Sequence, residues 1–311
     1  MAKKALIFGI AGVSGVYLGK ELQDNGYEVY GADIKECQDY YRYNGFYSLD
    51  VTDEKAVKNL INLVNPTHIF NLTDVGGVGQ AWKAPQRMLN VNLIGTLNIL
   101  EASKDFLMKP KILLVGSGDE YAPSLNMLRE DSELRSTSPY GISKIAQEDI
   151  ASVYREKYGL EIYCVRPFNH AGVGQNENFF VPMICKQAAE IKKSGKKGVL
   201  YTGNLKVSRD FLDVKDLVRG YRMVIESNHP EEIYNIGYGI SYSLEDLVKY
   251  IVSLTGLEIE IVTDGNLIRP SDNPYSCCDH SKITKLLGWE PTCNIYETIK
   301  EVYEEYLNKL D

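Results

Sequence analysis

Tyr140 and Lys144 stand four residues apart in Tyr140-Gly-Ile-Ser-Lys144. On a helix that step is about one turn, so the two side chains share a face. A lysine ammonium beside a phenol favours the phenolate, which is expected to let Tyr140 exchange a proton with a substrate oxygen near neutral pH. Ser117, at the end of a strand-like run, can hydrogen-bond that same oxygen. In a chain with 22 tyrosines a Tyr-x-x-x-Lys pair carries little weight alone, and its meaning comes from what precedes it. Gly9-Ile-Ala-Gly12-Val13-Ser14-Gly15 follows a strand-like run and opens a helical one. There, glycines permit a tight turn and close backbone approach to a pyrophosphate, whose charge is met by helix N-terminal amides.

These residues need a scaffold that brings distant segments to one edge. Apolar runs at 5–9, 28–32, 68–72, 112–115 and 162–165 read as strands, and amphipathic stretches at 16–25, 53–64, 87–104 and 140–158 read as helices. Such alternation predicts an α/β chain with right-handed crossovers, a doubly wound parallel sheet, and a ligand crevice at the strand C-termini. The chemistry-bearing segments fall at those ends. After Pro167 the punctuation by Gly, Asn and Pro increases, then a helix near 213–226 and a strand at 233–236 return to the sheet. The expected division is 1–168 plus about 213–238 as one domain, with about 169–212 plus 239–311 as a smaller, discontinuous one. Asp33 ends the second strand, eighteen positions beyond Gly15, where a carboxylate can accept hydrogen bonds from both hydroxyls of an adenosine ribose and repel a 2′-phosphate. That favours NAD(H), while Lys35 keeps NADP(H) possible. Asp50-Val51 leads into the start of helix 53–64, capped by Thr52, a reading that leaves a cofactor contact at the strand end open.

Composition narrows the classes. At 311 residues, 44% hydrophobic and 24% charged, the chain can bury a substantial core. Its net charge of −8 argues against nucleic acid or an anionic membrane as partner. Six cysteines without Cys-x-x-Cys spacing read as reduced thiols of a cytosolic protein, and no metal site is expected. No apolar stretch is long enough to span a bilayer.

The order of glycine turn, Ser117 and Tyr140/Lys144 resembles the short-chain dehydrogenase/reductase superfamily in its extended, sugar-nucleotide-modifying branch. Gly116-Ser-Gly-Asp-Glu-Tyr121, Ser138-Pro-Tyr-Gly-Ile-Ser-Lys144, Arg166-Pro-Phe-Asn-His-Ala-Gly-Val-Gly-Gln175, Gly203-Asn-Leu205, Ser208-Arg-Asp-Phe-Leu-Asp-Val214 and Arg269-Pro-Ser-Asp272 are together similar to the GDP-4-keto-6-deoxy-mannose reductases. The resemblance implies a Rossmann domain and a smaller C-terminal substrate domain. It makes Ser117 the carbonyl-binding hydroxyl, Tyr140 the acid/base and Lys144 the ribose and electrostatic partner. It also implies cofactor contacts at Gly9, Gly12, Val13, Ser14, Gly15, Asp33, Asp50, Val51 and Leu72. Asp119, Asn169, Asn178, Arg209 and Arg269 then face the sugar nucleotide, and Gly203-Asn204 its base. Helices 87–104 and 140–158 correspond to the pair that builds the family's homodimer.

Two positions separate the reactions of this branch. Related 4,6-dehydratases carry an acid and a base after the serine position, Asp-Glu or Ser-Glu, where this chain has Gly118-Asp119. GDP-fucose synthases have an epimerising cysteine at the Asp119 position and a histidine near Phe180, and neither is present. The chain departs from its relatives at Thr73–Gly77, where Gly76 and Gly77 replace serines and Asp74 brings a charge to the crevice. The expectation is a reductase that delivers hydride to the C4 ketone of a GDP-linked 4-keto-6-deoxy-hexose. The alternatives are a 4,6-dehydratase or 4-epimerase that retains its cofactor, and a non-catalytic cofactor sensor of the same fold.

Overall fold

The computed structural model describes residues 3–37, 42–195, 197–268 and 273–310. Its first part runs β1 (Lys3–Phe8), α1 (Val13–Asp24), β2 (Tyr27–Asp33), β3 (Gly45–Ser48), α2 (Glu54–Val64), β4 (His68–Asn71), α3 (Gly77–Lys83), α4 (Pro85–Leu89), α5 (Gly95–Lys104), β5 (Lys111–Val115), α6 (Pro139–Tyr158) and β6 (Ile162–Pro167). The chain continues through β7 (Asn169–Ala171), α7 (Phe180–Ser194), β8 (Val199–Thr202), β9 (Ser208–Asp213), α8 (Val214–Glu226) and β10 (Ile233–Ile236). It closes with β11 (Ser241–Ser243), α9 (Leu244–Thr255), β12 (Glu260–Thr263), β13 (Tyr275–Ser276), α10 (Ser281–Leu287) and α11 (Ile295–Lys309).

Seven strands form one parallel sheet in the order β10-β6-β5-β4-β1-β2-β3. Both faces are covered, which is why β6 is buried along its whole length and the strands read as continuous apolar runs. Alternate residues of β1 point to opposite faces. Ile7 joins Leu18, Leu22, Leu217, Tyr221 and Val224 beneath α1 and α8. Leu6 and Phe8 join Val57, Leu60, Ile61, Ile99 and Ala151 beneath α2, α5 and α6. A separate apolar cluster is built from α7, α9 and α11, around Ile184, Ala188, Leu247, Ile251, Ile299 and Val302. It backs β7 and β9, whose parallel pairing sets Asn169 opposite Phe211.

Three local features differ from the sequence expectations. The helix expected over 87–104 is broken into α4, a wide π turn at Asn90–Ile94, and α5. Asn92 is fully buried there, with Nδ2 donating to Ser143 Oγ at 2.8 Å, so a contact with α6 overrides regular winding. The cap of α2 is Asp53, not Thr52: Asp53 Oδ1 accepts from Ala56 N at 3.0 Å, while Thr52 Oγ1 donates to Asp50 Oδ1 at 2.7 Å. Finally, β3 is a four-residue strand that no apolar run announces.

Candidate active site

The glycine turn leaves β1 with Gly9 at φ +85°, a conformation that side-chain-bearing residues rarely adopt. A Cβ at Gly9 would stand 2.9 Å from the Leu72 carbonyl, and one at Gly15 would stand 2.4 Å from Gly9 O. Gly12 caps α1 with no side chain filling the role, and the first turn of α1, which begins Val13-Ser14, holds no acidic residue. Those amides are therefore left to meet an anion, and this cradle fits a dinucleotide pyrophosphate. Asp33 closes β2 beside the turn; its Oδ2 accepts from Ala11 N at 3.0 Å and its Oδ1 from Lys35 N at 2.9 Å. Val51 is buried and its carbonyl accepts from Asn98 Nδ2 at 2.9 Å, with Asp50 exposed next to it. Leu72 follows β4, its amide held by Phe8 O at 2.9 Å. Every expected cofactor residue thus lies at the C-terminal edge of the sheet.

Ser117 follows β5 and caps the short turn Gly118–Glu120. Its Oγ accepts from Asp119 N at 3.1 Å, and its own amide donates to Glu120 Oε1 at 2.6 Å. Helix α6 begins beside it, capped by Ser138 through a 3.1 Å bond from Gly141 N. A Cβ at Gly141 would lie 2.2 Å from Asp119 O, so the glycine after Tyr140 lets α6 rest directly on the Ser117 turn. Tyr140 and Lys144 are buried on one face, with Lys144 Nζ 5.6 Å from the Tyr140 ring centre and donating to Val115 O at 2.9 Å.

The electrostatics overturn one expectation. Burial raises the Tyr140 phenol well above its ordinary range, the carboxylates of Asp74 and Asp119 add to this, and only the Ser117 hydroxyl acts against it. Burial also lowers Lys144, against the pull of Asp74 and Glu120. Lys144 is turned toward a carbonyl, so Tyr140 is held as the neutral acid rather than as a ready phenolate.

Asp74 owes its place to the two glycines that depart from the family pattern. Its Oδ1 accepts from Gly76 N at 3.1 Å and Gly77 N at 3.3 Å, with those residues at φ +106° and +73°. Serine would be strained at both, and the loop brings Val75 and Val78 against Tyr140. Asp74→Asn is expected to lower the Tyr140 pKa and move the alkaline limb of the kcat/KM profile to lower pH. An unmoved limb would assign control to burial and Asp119.

The residues expected at the substrate are less closely grouped. Asn169 on β7 and Arg209 on β9 occupy paired strands, with Asn169 Nδ2 3.4 Å from Asp210 O and Arg209 Nη1 donating to Ser208 O at 2.9 Å. Gly203 follows β8 and packs on the Leu267 backbone, where a Cβ would come within 2.6 Å. Asn204 Oδ1 accepts from Lys206 N at 3.0 Å. Asn178 is exposed in the loop before α7, its amide donating to Asn176 Oδ1 at 2.9 Å, while the next residue, Phe179, reaches the space over Gly77. Asp119 is exposed beside Ser117. Arg269, with Pro270, Ser271 and Asp272, lies outside the described residues.

Two further groups were not singled out from sequence. His170 Nε2 lies 3.2 Å from Ser14 Oγ, tying β7 to the glycine turn, and desolvation lowers it to about 4, so the imidazole is neutral. Asp210, wholly buried, accepts from the amides of Tyr238, Gly239 and Cys278 at 2.7, 2.8 and 3.0 Å.

A doubly wound parallel sheet with a glycine cradle after β1, and Ser117, Tyr140 and Lys144 at the ends of β5 and α6, defines a nicotinamide-dependent, nucleotide-sugar-modifying enzyme of the short-chain dehydrogenase/reductase type. The chain belongs to the GDP-mannose 4,6 dehydratase family, whose model matches residues 6–302. It is 28% identical over 248 residues to a GDP-6-deoxy-D-mannose reductase of Pseudomonas aeruginosa, covering 79% of this chain and 82% of that one. It is 27% identical to a GDP-mannose 4,6-dehydratase of Sinorhizobium fredii, covering 99% and 97%. Among solved structures, UDP-glucose 4-epimerase of Thermotoga maritima with UDP-glucose superposes at a TM-score of 0.89 with 27% identity, over 99% of this chain and 100% of that one. RMD of Pseudomonas aeruginosa with NADPH superposes at 0.85 with 24% identity over the same shares, a likeness of fold.

Proposed function

We propose that this enzyme reduces the C4 ketone of a GDP-linked 4-keto-6-deoxy-hexose, giving GDP-rhamnose or its C4 epimer. The observation that carries this reading is the Ser117 turn, whose next residues are Gly118 and Asp119 in place of a dehydratase acid and base, set beside the buried Tyr140. A bound nicotinamide supplies the hydride. Ser117 Oγ donates a hydrogen bond to the ketone oxygen, and Tyr140, kept neutral by burial and by Asp74 and Asp119, gives that oxygen its proton. Lys144 holds the ribose, a role that its bond to Val115 O supports by fixing the ammonium at the crevice floor. Arg209 and Arg269 anchor the diphosphate with Asn169, and Gly203-Asn204 lies along the guanine. Such remote contacts spend binding energy on orientation. The 1–168 plus 213–238 part is proposed to carry the cofactor, NAD(H) in preference to NADP(H) because the Asp33 carboxylate repels a 2′-phosphate, with Lys35 keeping NADP(H) possible. The 169–212 plus 239–311 part carries the sugar nucleotide.

Exposed Ile94 in the π turn and exposed Ile142 and Val153 on α6 support a homodimer through 87–104 and 140–158. Six free cysteines, five of them buried, support a reducing, cytoplasmic setting. Among the described residues no helix is long and apolar enough to cross a membrane.

A 4,6-dehydratase is the second reading, favoured by the exposed Asp119 carboxylate near Tyr140. Elimination is poorly served, because Gly118 has no proton to give. The test is stoichiometry. With a GDP-4-keto-6-deoxy-hexose, external NADH is expected to be consumed one-for-one with product, followed by loss of nicotinamide absorbance. With GDP-mannose alone, no 4-keto sugar is expected; efficient dehydration without added reductant would replace the reductase reading with the second.

A further inference from the structure

Behind the Ser117 turn, and out of reach of any substrate, two carboxyl groups meet one guanidinium. Arg166 binds Glu148 with two bonds, Nε to Oε1 at 3.0 Å and Nη2 to Oε2 at 2.6 Å. The same Nε lies 3.2 Å from Glu120 Oε2. One N–H shared between both oxygens serves each poorly, and the Arg166 Nη1 bonds go to Tyr121 Oη and Glu130 O. Glu120 is fully buried, and its Oε2 has no hydrogen-bond partner. Gly116 makes the crowding possible: a Cβ there would stand 2.4 Å from Glu120 Oε1 and 3.2 Å from Glu148 Oε1. Two ionised carboxylates buried against each other beside one guanidinium are costly. The other groups near Glu120 offset that cost only in part: Lys144 on α6 interacts with Glu120 but is itself lowered by burial and gives one N–H to Val115 O, and Cys164 on β6 is a neutral thiol raised to about 12.

We propose that Glu120 and Glu148 share one proton, carried on Glu120 Oε2 and donated to Glu148, and that this neutral carboxyl is a positioning residue that fixes Ser117 through its backbone amide. Glu120 Oε1 accepts that amide at 2.6 Å, on the same residue as the hydroxyl that must meet the ketone. Burial and the neighbouring Glu148 charge push Glu120 well above the usual carboxylate range, with Arg166 and the Ser117 amide opposing. The folded chain then holds a proton that the unfolded chain releases. Its contribution to stability is fully present at acid pH and is lost as pH rises through the folded value.

The proposal relies on the reductase reading only for the role of Ser117; the shared proton is tested without substrate. Glu120→Gln is the decisive variant, because its amide oxygen can still accept from Ser117 and its NH2 can still donate to Glu148. The wild-type protein should show the infrared C=O band of a protonated carboxylic acid at neutral pH, and Glu120→Gln should lack it. The variant should fold, keep kcat within about twofold, and show a flatter fall of Tm from mildly acidic to alkaline pH. Glu120→Ala, which strips the Ser117 amide of its acceptor, should lower kcat by about tenfold with KM little changed. A wild-type spectrum without the acid band, or a Glu120→Gln protein that does not fold or keeps the wild-type pH dependence of Tm, would overturn the shared proton. Normal kcat in Glu120→Ala would overturn the positioning role.

Discussion

Tyr140→Phe is expected to lower turnover by a factor on the order of 10²–10⁴, with cofactor affinity retained. The change removes one oxygen from a buried ring that packs with Ala81 and Met88, so the ring's apolar contacts survive. What disappears is the proton donor that burial, Asp74 and Asp119 together keep neutral. Ser117 still polarises the ketone in the variant, which sets the lower end of the range. Steady-state rates with a 4-keto sugar nucleotide and cofactor titration by fluorescence check the two halves separately. A folded Tyr140→Phe enzyme with near-wild-type turnover would remove the phenol from the mechanism.

The second large effect is on stability. Asp210→Asn is expected to cost about 2–4 kcal/mol in chemical denaturation, because one amide oxygen cannot replace a carboxylate that serves three buried N–H donors. Tyr238 N bonds to Oδ1, whereas Gly239 N and Cys278 N bond to Oδ2, so the new NH2 must face at least one donor. The carboxyl also titrates: burial raises Asp210 from 3.8 to about 6, against the three amides. The folded chain thus binds this proton more tightly than the unfolded chain. The group's contribution is greatest below 3.8 and declines as pH rises through about 6, a slope that the asparagine variant should lack. A variant as stable as the wild type, with the same slope, would mean that the three amides find other acceptors.

Much of this was legible in the chain. Strands 68–72 and 233–236 announce themselves as apolar runs between turns, and the glycines at 9, 12 and 15 announce a cradle by their spacing at the end of the first apolar run. Tyr140 and Lys144 were legible because one helical turn brings them together. The sign of the Tyr140 shift was not, since it depends on burial and on Asp74, which reaches the phenol only through two left-handed glycines. The π turn at Asn90–Ile94 was illegible for a similar reason: its cause is Ser143, fifty-one residues away from Asn92. Glu120 looked like one more polar residue in a turn, and only the fold shows it shut in with Glu148 and Arg166.

The sheet's last strand reaches it late. β10 pairs with β6 through Ile233–Ile236, after β7, β8 and β9 have been made elsewhere. On a ribosome, a nascent chain that has emerged only as far as Pro167 holds six of the seven strands, with the apolar β6 as an open rim. An unpaired edge of that kind invites pairing with other chains. Completion of the seven-stranded sheet therefore waits on synthesis as far as Ile236, so splitting the gene near residue 168 would produce an aggregating fragment rather than a free-standing nucleotide binder.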